Sequence, residues 1–452
     1  MRIFSIDIHE DDANVILLPY VFHSVKELRA ISFGTKVINC EVQTNYISDC
    51  TVLISKEIQE ALQLPFLQDT HIFIHEDTII IGPLIGIFTA GFTDSLSQPT
   101  GDRSLFFANL LTASDINKAF LFVFGSQHIN WEDGTISGYF YHKQRWLQTE
   151  IPFPNVVYDR LPNRRIENHR AIVRVKSRLL TEYMIPWFNP GFFNKWDIYQ
   201  SLQHEEAASP YLPETQQFIN FEQVEFMLSR YGHVYIKPMN GSLGSGIYQV
   251  RYSFEENTYY CRYRDESGNK LRKYHSLEYL VNHLLSQYDL DTFIVQQGIS
   301  LLRINGQPVD FRIHTNKDRQ GKWKVSVMAA KIAGQGSMTT HINNGGDVKT
   351  MEEIFPDSVE REEISHQLTS AILLLSECID RRVEGSIGEI GFDVGLDKDK
   401  KIWLFEANSK PGRAIFEHPK LQESDRLTKE LFLEYALYLT EQSLLRPEEL
   451  FQ

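Results

Sequence analysis

The stretch VYIKPMNGSLGSGIYQV, from Val234 to Val250, decides how the rest of this chain is interpreted. Two runs rich in β-forming residues flank a glycine loop, and the second run, Ile247 to Tyr252, favours a strand over a helix. The turns of Rossmann folds and Walker loops open a helix instead, and the G-K-[ST] sequence of a Walker loop is absent here. The pattern therefore predicts a flap between two strands.

The glycines of this flap predict a phosphate site. Because Gly241, Gly244 and Gly246 have no Cβ, backbone N–H groups can approach phosphate oxygens closely. Lys237, near the end of the first strand, can add a positive charge to the same phosphates. We interpret the segment as a nucleotide site, and a glycine hairpin beside a surface lysine is the alternative that these residues leave open.

A second group of polar residues lies in the segments GFDVGL (391–396) and IWLFEAN (402–408), which a polar turn connects. The pattern predicts a β-hairpin. Pairing the two strands across the turn places Asp393 opposite Leu404, and the two-residue alternation of strands then gathers three oxygen-bearing side chains on one face. These are Asp393, Glu406 and Asn408.

This oxygen-rich face predicts a magnesium site. Mg²⁺ prefers one or two carboxylates, retained waters and the phosphates of a nucleotide to a cage made only of protein ligands. The alternative is a hairpin exposed to solvent whose acidic residues pair with lysines of the turn. Those lysines are Lys398, Lys400 and Lys401.

Basic and amide groups recur at strand ends between the two sites. Arg312, in the segment VDFRIH, and Lys331, at the end of the next strand, are suited to neutralising charge on a transferring phosphoryl group. Asn343 is suited to holding an oxygen beside the metal. Ordinary exposed or ion-paired side chains are the alternative for each.

Composition limits the partners and the compartment. The chain has 452 residues, with 59 acidic and 45 basic side chains and a formal charge of -14, which disfavours general binding to nucleic acid. Acidic residues close to Met1 argue against a signal peptide, and the most apolar stretch, 79–92, is broken by glycine and proline and is too short for a membrane span. We expect a cytoplasmic protein without a membrane partner.

The pattern along the chain divides it into three parts. Residues 1–80 read as a β-rich, barrel-like or sandwich domain with one helix at 56–64, and residues 81–165 as a small α/β unit. The remainder, 166–452, alternates strands with helices predicted at 167–183, 195–202, 358–380 and 424–443. The expected fold class is α/β (α+β).

The order of these motifs resembles the ATP-grasp fold from about Lys195 to the end of the chain. The resemblance is closer to the YheC/YheD family, described as endospore coat-associated ATP-grasp proteins of bacilli. Five segments carry it: IGPLIGI (81–87), FNP (188–190), KW (195–196), KPMNGSLG (237–244) and VDFR (309–312). The resemblance implies that residues 166–452 form an ATP-grasp domain, which the N-terminal β-rich domain and the α/β unit precede.

The resemblance also implies roles for individual residues. Lys195 and Lys237 would contact nucleotide phosphates, and the segment 293–299 would be the hinge that faces adenine. The full expected site comprises Arg312 and Lys331 as catalytic residues, Lys195, Lys237, Gly241, Ser242, Gly244, Gly246, Gln297 and Ile299 as nucleotide-binding residues, and Asp393, Glu406 and Asn408 as magnesium ligands. Relatives often carry a ribose-binding glutamate at the hinge, where this chain has Gln296 and Gln297.

The implied activity is that of a ligase dependent on ATP and Mg²⁺. It would activate a small-molecule or peptide carboxylate as an acyl phosphate, for attack by an amine or thiol acceptor, and would be associated with the spore coat. Arg160, Arg164 and Arg165 are candidates for binding an anionic acceptor. Two alternatives stay open: a small-molecule kinase on the same scaffold, and a structural coat-associated protein that binds nucleotide without turnover.

Overall fold

The computed structural model of the protein describes residues 2–10, 14–23, 25, 27–46, 48–240, 246–265, 268–334 and 346–451. Within these ranges the strands form four sheets. The first two belong to the N-terminal part of the chain, and the last two face each other across a cleft that carries the candidate site.

The first sheet contains the first eight strands of the chain. They are β1 (Arg2–Ile8), β2 (Val15–Pro19), β3 (Ala30–Phe33), β4 (Lys36–Asn39), β5 (Glu41–Asn45), β6 (Thr51–Ile54), β7 (Thr70–His75) and β8 (Thr78–Gly82), in the spatial order β4-β3-β8-β7-β1-β6-β2-β5. The helix predicted here is α1 (Lys56–Ala61). It begins where predicted because the Ser55 hydroxyl accepts a hydrogen bond from the Ile58 N–H at 3.1 Å.

The second sheet is built around four parallel strands, β10-β9-β14-β15. Its elements are β9 (Leu84–Phe88), α2 (Ser104–Leu111), α3 (Ser114–Asn117), β10 (Phe120–Phe124), β11 (Ile129–Asn130), β12 (Thr135–His142), β13 (Arg145–Pro152), β14 (Val156–Asp159), α4 (Arg164–Glu167), α5 (Arg170–Thr181) and β15 (Trp187–Phe188). The first two sheets share one apolar core, which runs from Phe4 and Ile6 to Phe153 and Trp187. The first two predicted parts of the chain are therefore packed together.

The third sheet is antiparallel, in the order β16-β21-β17-β18-β19-β20. This part of the chain contains α6 (Lys195–Gln203), β16 (Thr215–Gln217), α7 (Phe221–Tyr231), β17 (His233–Pro238), β18 (Tyr248–Ser253), β19 (Thr258–Asp265), β20 (Gly268–Tyr274), α8 (Leu277–Leu285) and β21 (Phe293–Gln297). One face packs on α7 and α8 through Val234, Ile236 and Val250. Alternation along β17 therefore points Tyr235 and Lys237 to the opposite, cleft-facing side.

The fourth sheet is also antiparallel, in the order β25-β24-β23-β26-β27, with β22 paired to β23. Its elements are β22 (Arg303–Ile304), β23 (Gln307–Lys317), β24 (Trp323–Ile332), β25 (Asp347–Lys349), α9 (Met351–Ile354), α10 (Ser358–Arg382), β26 (Glu389–Leu396), β27 (Ile402–Asn408), α11 (Gln422–Leu445) and α12 (Pro447–Leu450). One face packs on α10, whose predicted stripe from Ile364 to Ile379 is buried. The other face carries the polar residues of the site.

Helix α11 connects the two halves of the molecule. Its residues Phe432, Leu433 and Tyr435 lie in one apolar cluster with Ile85 and Ile87 of β9. In the described parts of the chain, no helix is both long and apolar enough to span a bilayer.

Candidate active site

Two lysines approach the cleft from different elements. Lys195 begins α6, where the Asn194 side chain accepts hydrogen bonds from the N–H groups of Trp196 and Asp197. Lys237 lies on β17, the central strand of the third sheet, and is only 7% exposed. A helix N-terminus and a strand end thus place two cations on the same cleft.

Lys237 is held by a chain of hydrogen bonds that starts on the hinge strand. Its Nζ donates to Gln296 Oε1 at 2.8 Å, and Gln296 Nε2 donates to Thr215 Oγ1 at 2.9 Å. Burial and the neighbouring Lys195 lower the pKa of Lys237 to about 8, against the opposing influence of Glu406 and Asp393. Lys237 is therefore a desolvated cation that an anionic ligand would stabilise.

The predicted hairpin forms, but with a different register. Asp393 lies opposite Glu406, whereas Val394 lies opposite Leu404, so Phe405 is an extra residue in β27. This β-bulge leaves Leu404 and Ala407 in the apolar core and turns Glu406 to the polar face. The predicted shared face is correct, but the expected pairing of Asp393 with Leu404 is wrong. Leu396 pairs with Ile402 rather than with Lys401, which shifts the register by one residue, and the bulge at Phe405 shifts it by another.

The carboxylates of the hairpin pair with cations of the cleft. Asp393 Oδ2 accepts a hydrogen bond from Arg312 Nη1 at 2.7 Å, and its Oδ1 accepts one from Lys331 Nζ at 2.7 Å. Glu406 Oε1 lies 3.1 Å from Lys195 Nζ. Burial lowers the pKa of Lys331, but Asp310 and Asp393 together raise it above its ordinary value.

The turn lysines have other partners. Lys400 pairs with Glu360 at 2.9 Å, Lys398 lies near Asp399, and the Lys401 ammonium covers the Trp403 ring. The alternative of an exposed hairpin that pairs with its own turn is therefore wrong.

Asn408 completes the oxygen-bearing set. With its amide nitrogen turned toward Glu406, Nδ2 lies 3.0 Å from Oε1, and Oδ1 lies 3.3 Å from Arg312 Nη1. The amide thus lies between a carboxylate and a guanidinium, and its oxygen faces the same space as the Asp393 carboxylate.

The donor set fits a magnesium ion that completes its coordination from waters and phosphates. Two carboxylates face each other across adjacent strands with an amide beside them, which is the partial ligand set that Mg²⁺ takes from proteins at nucleotide sites. Among the described residues no group of three or more His, Cys, Asp or Glu side chains could enclose a metal. The cations now paired with these carboxylates show that the face attracts positive charge.

Part of the predicted phosphate loop lies outside the described residues. This holds for Gly241, Ser242 and Gly244, and also for Asn343. Gly246 is described and has a φ of +71°, a left-handed conformation that side chains rarely adopt. Its assignment to the nucleotide stays a prediction.

The hinge lies beside a large cavity of about 1390 Å³ between the third sheet and the residues around β22. Ile299, Tyr235 and His233 are among its lining residues. The Gln297 side chain is occupied otherwise, because its Oε1 accepts a hydrogen bond from the Glu214 N–H at 3.0 Å. Of the two predicted adenine contacts, the structure therefore places Ile299 in the cavity wall.

A second cavity, of only about 30 Å³, lies between the two lysines and β27. It is lined by Lys195, Lys237, Gln296 and Glu406, together with apolar residues of α6. Lys237 thus lines this small cavity, whereas Tyr235, two residues away on the same face of β17, lines the large one.

The three candidate acceptor arginines do not come together. Arg160 is buried and donates to the Pro411 carbonyl at 3.3 Å, Arg164 Nη1 donates to the Asn240 carbonyl at 3.3 Å, and Arg165 is exposed. Closeness in sequence did not give closeness of the side chains here.

Sequence reasoning missed the roles of two side chains, Asn189 and Lys410, which link the strands of the site to the rest of the fold. Asn189 donates to the carbonyls of Glu389 and Ser409 and accepts from the N–H groups of Gly388 and Glu389. Lys410 donates to Asp159 at 2.6 Å and to Glu167 at 2.9 Å. Asn189 belongs to the segment FNP (188–190), but its partners lie about 200 residues away and leave no local signal.

Comparisons with known proteins show which family this chain is similar to. A family model described as YheC/D like ATP-grasp matches residues 184–439. The chain is 44% identical to the endospore coat-associated protein YheD of Bacillus subtilis (strain 168), over 99% of this chain and 98% of that protein. It is 24% identical to the endospore coat-associated protein YheC of the same strain, over 59% of this chain and 73% of that protein.

Among solved structures, the chain is similar to that of D-alanyl-alanine synthetase A from Vibrio cholerae O1 biovar eltor str. N16961. The TM-score is 0.47 at 11% sequence identity, and the match covers 81% of this chain and 99% of that one.

Proposed function

The chain belongs to the YheC/D-like ATP-grasp family, and from this premise we propose that it is a ligase dependent on ATP and Mg²⁺. A carboxylate oxygen of the substrate attacks the γ-phosphorus of ATP, the bond to the β-phosphate oxygen breaks, and ADP leaves. An amine or thiol then attacks the acyl carbon, loses its proton, and inorganic phosphate leaves.

One observation carries the proposal: cations suited to binding phosphate and oxygens suited to binding magnesium belong to one connected cluster. The Lys195–Glu406 contact of 3.1 Å joins the lysine side of the cleft to the hairpin. Lys331 and Arg312 join the same hairpin to β24 and β23 through Asp393. Phosphoryl transfer needs this combination, since it depends on positioning and on neutralising the charge of the phosphate oxygens.

The position of each residue in the cleft indicates its role in the proposed reaction. When bound, Mg²⁺ would be held by Asp393, Glu406 and Asn408 and would offset the negative charge of the phosphates. Lys195 and Lys237 would bind the phosphate chain, and each would exchange its present partner, Glu406 or Gln296, for phosphate oxygens. Arg312 and Lys331 orient Asp393 and add positive charge where the phosphoryl group transfers.

The nucleoside is proposed to enter the large cavity at the hinge. Tyr235 and Lys237 lie two residues apart on the same face of β17, so a base beside Tyr235 would leave its phosphates about 7 Å further along the strand, near Lys237. His233 packs against Gly298, where an added Cβ would lie 2.1 Å from the ring. A glycine is therefore needed at this hinge position.

The nucleotide site is tested by thermal unfolding of the full chain with and without Mg-ATP. Ligand at about 100 times its dissociation constant stabilises the native state by about 2.7 kcal/mol. Lys237→Ala is expected to lose most of this stabilisation, and Glu406→Gln to lose its dependence on Mg²⁺. Lys398→Ala, which alters a side chain that is 80% exposed, serves as the control and keeps the full effect.

Product analysis then separates the ligase from the kinase. A ligase consumes carboxylate and amine or thiol together with ATP and releases ADP and phosphate, whereas a kinase forms ADP and a stable phosphorylated product. Nucleotide binding without ADP formation across a carboxylate and amine screen would favour the structural alternative.

We also propose an association with the spore coat, supported by the 44% identity to the endospore coat-associated protein YheD. A fluorescent fusion expressed in sporulating Bacillus subtilis that lacks YheD tests this. Fluorescence at the forespore surface is expected, and an even distribution through the mother cell would contradict the proposal.

A further inference from the structure

The large cavity exceeds what a nucleoside needs. Small-molecule pockets usually enclose about 300–1,000 Å³, whereas this cavity encloses about 1390 Å³ and extends from the hinge across β18 and β19 to the turn after β22. A second ligand therefore has room beside the nucleotide.

Three arginines line the part of this cavity that lies away from Lys237: Arg251, Arg262 and Arg303. On the sheet, Tyr235 of β17 pairs with Gln249 of β18, and Gln249 pairs with Arg262 of β19. Arg262 therefore lies two strands away from Tyr235, on the same face of the sheet. Arg251 pairs with Tyr260, which makes it a diagonal neighbour of Arg262 on the same face, about 7–8 Å away.

The third arginine comes from the opposite side of the cavity. Arg303 lies on β22, and its Nη1 donates to the Gly306 carbonyl at 2.6 Å. Burial raises the pKa of Tyr235, while the hydrogen bond from Gln249 and the charges of Arg262 and Arg303 act against that rise. Arg262 and Arg303 therefore line the same cavity as Tyr235, and the positive charges of both act on its hydroxyl.

None of the three arginines forms an ion pair within the described part of the chain, although many other arginines do. Glu255 also lines the cavity, but it is exposed and makes no ion pair with them. In a chain with a formal charge of -14, three cations gathered without a carboxylate partner create a local positive field. Guanidinium groups in such a setting bind carboxylate and phosphate oxygens through paired hydrogen bonds.

We propose that Arg251, Arg262 and Arg303 bind a second anionic ligand, bearing carboxylate or phosphate groups, in the part of the cavity away from Lys237. The inference rests on the proposed function only in naming the nucleotide as the first ligand. If the protein is a ligase, the site holds the anionic part of its second substrate while Lys195 and Lys237 hold the phosphates of ATP.

The test is isothermal titration calorimetry on the full chain, first saturated with Mg-ADP so that the lysines are occupied. The probes are a triglutamate peptide and inorganic phosphate, with a triglutamine peptide as the uncharged control. We expect triglutamate or phosphate to bind, and binding to weaken at least tenfold in the double variant Arg262→Gln/Arg303→Gln. Binding of the peptide alone identifies a carboxylate ligand, and binding of phosphate alone identifies a phosphate ligand.

A matched control is Arg272→Gln, on the same third sheet. Arg272 is exposed on β20 and is not among the lining residues of the cavity, so its loss should leave the anion affinity unchanged. Thermal unfolding of each variant checks that the fold is intact, and Arg251→Gln provides a second, single substitution at the site.

Three results would overturn the proposal. They are no binding of either anion, equal binding by the double variant and the wild type, or binding of the anion only when Mg-ADP is left out, which would assign the arginines to the nucleotide. Failure of Mg-ADP itself to bind would instead contradict the nucleotide site, and titration of the anions without nucleotide would still decide this inference.

Discussion

Lys237 shows how a single side chain is set for binding an anion. It is almost fully buried, has one neutral hydrogen-bond partner in Gln296, and lies close enough to Lys195 for the two charges to repel. Its charged form is therefore disfavoured in the free protein, with a pKa of about 8 against 10.5 for an ordinary lysine. Between these values the unfolded chain holds more protons, so this group's contribution to the unfolding free energy rises with pH.

Nucleotide binding should show the opposite dependence on pH. Phosphate oxygens stabilise the charged form, so above about pH 8 the site must take up a proton on binding, and the affinity for Mg-ATP should fall by up to about tenfold per pH unit. Calorimetry at pH 7, 8 and 9 measures this. Lys237→Ala should bind weakly with little dependence on pH, and an equally flat profile for the wild type would contradict the assignment.

At the scale of elements, the ends of β26 and β27 are fixed by one side chain, that of Asn189, the residue that follows β15. Asn189 is fully buried, has a φ of +53°, and uses both its donors and both its acceptor positions on backbone groups of Gly388, Glu389 and Ser409. These contacts hold the entry of β26 and the exit of β27, the two strands that carry Asp393, Glu406 and Asn408. The position of the predicted magnesium ligands thus depends on the residue that follows β15 in the second sheet.

Removing this side chain should strongly destabilise the protein. Asn189→Ala leaves several buried backbone groups unpaired, at about 1–3 kcal/mol each, so we expect a loss of about 3–5 kcal/mol in urea unfolding. The control is Asn305→Ala, since Asn305 has a similar φ of +51° but is exposed. It shares the backbone strain of a left-handed alanine, about 1–2 kcal/mol, and an equal loss in both variants would contradict the role of the hydrogen bonds.

For the whole molecule, a buried ion cluster joins the α/β unit to the turn after the hairpin. Lys410 is 2% exposed and binds Asp159 and Glu167, and Lys176 lies 3.0 Å from the second oxygen of Asp159. The cluster connects the carboxyl end of β14 to the residue two positions after Asn408. It therefore couples the stability of the N-terminal half to the geometry of the site.

Lys410→Met tests this coupling. Removing one partner of a buried ion cluster leaves uncompensated charge and typically costs about 3–5 kcal/mol, which urea unfolding of the full chain measures. Lys398→Met, at an exposed position, should change the unfolding free energy by no more than about 0.5 kcal/mol. Similar small effects of both substitutions would show that the cluster does not hold the two halves together.

Much of the fold could be predicted because its signals are local. The helices predicted at 195–202, 358–380 and 424–443 follow from hydrophobic periodicity, and the start of the helix predicted at 56–64 follows from the Ser55 cap. The structure contains each of these helices. The family match confirms the ATP-grasp assignment that the order of the motifs predicted.

The sequence by itself determined which residue types the cleft contains: two lysines, an arginine and lysine pair, and the D and E-x-N set. Lys195 followed from the family resemblance, and the others from the strand and glycine patterns around them. Only the tertiary structure decided how they are held. The bulge at Phe405, the Lys237–Gln296 contact, the Asn189 clamp and the convergence of Arg262 with Arg303 all depend on strands distant in sequence. A hydrogen bond or ion pair between such strands places no constraint on spacing along the chain, so sequence periodicity carries no trace of it.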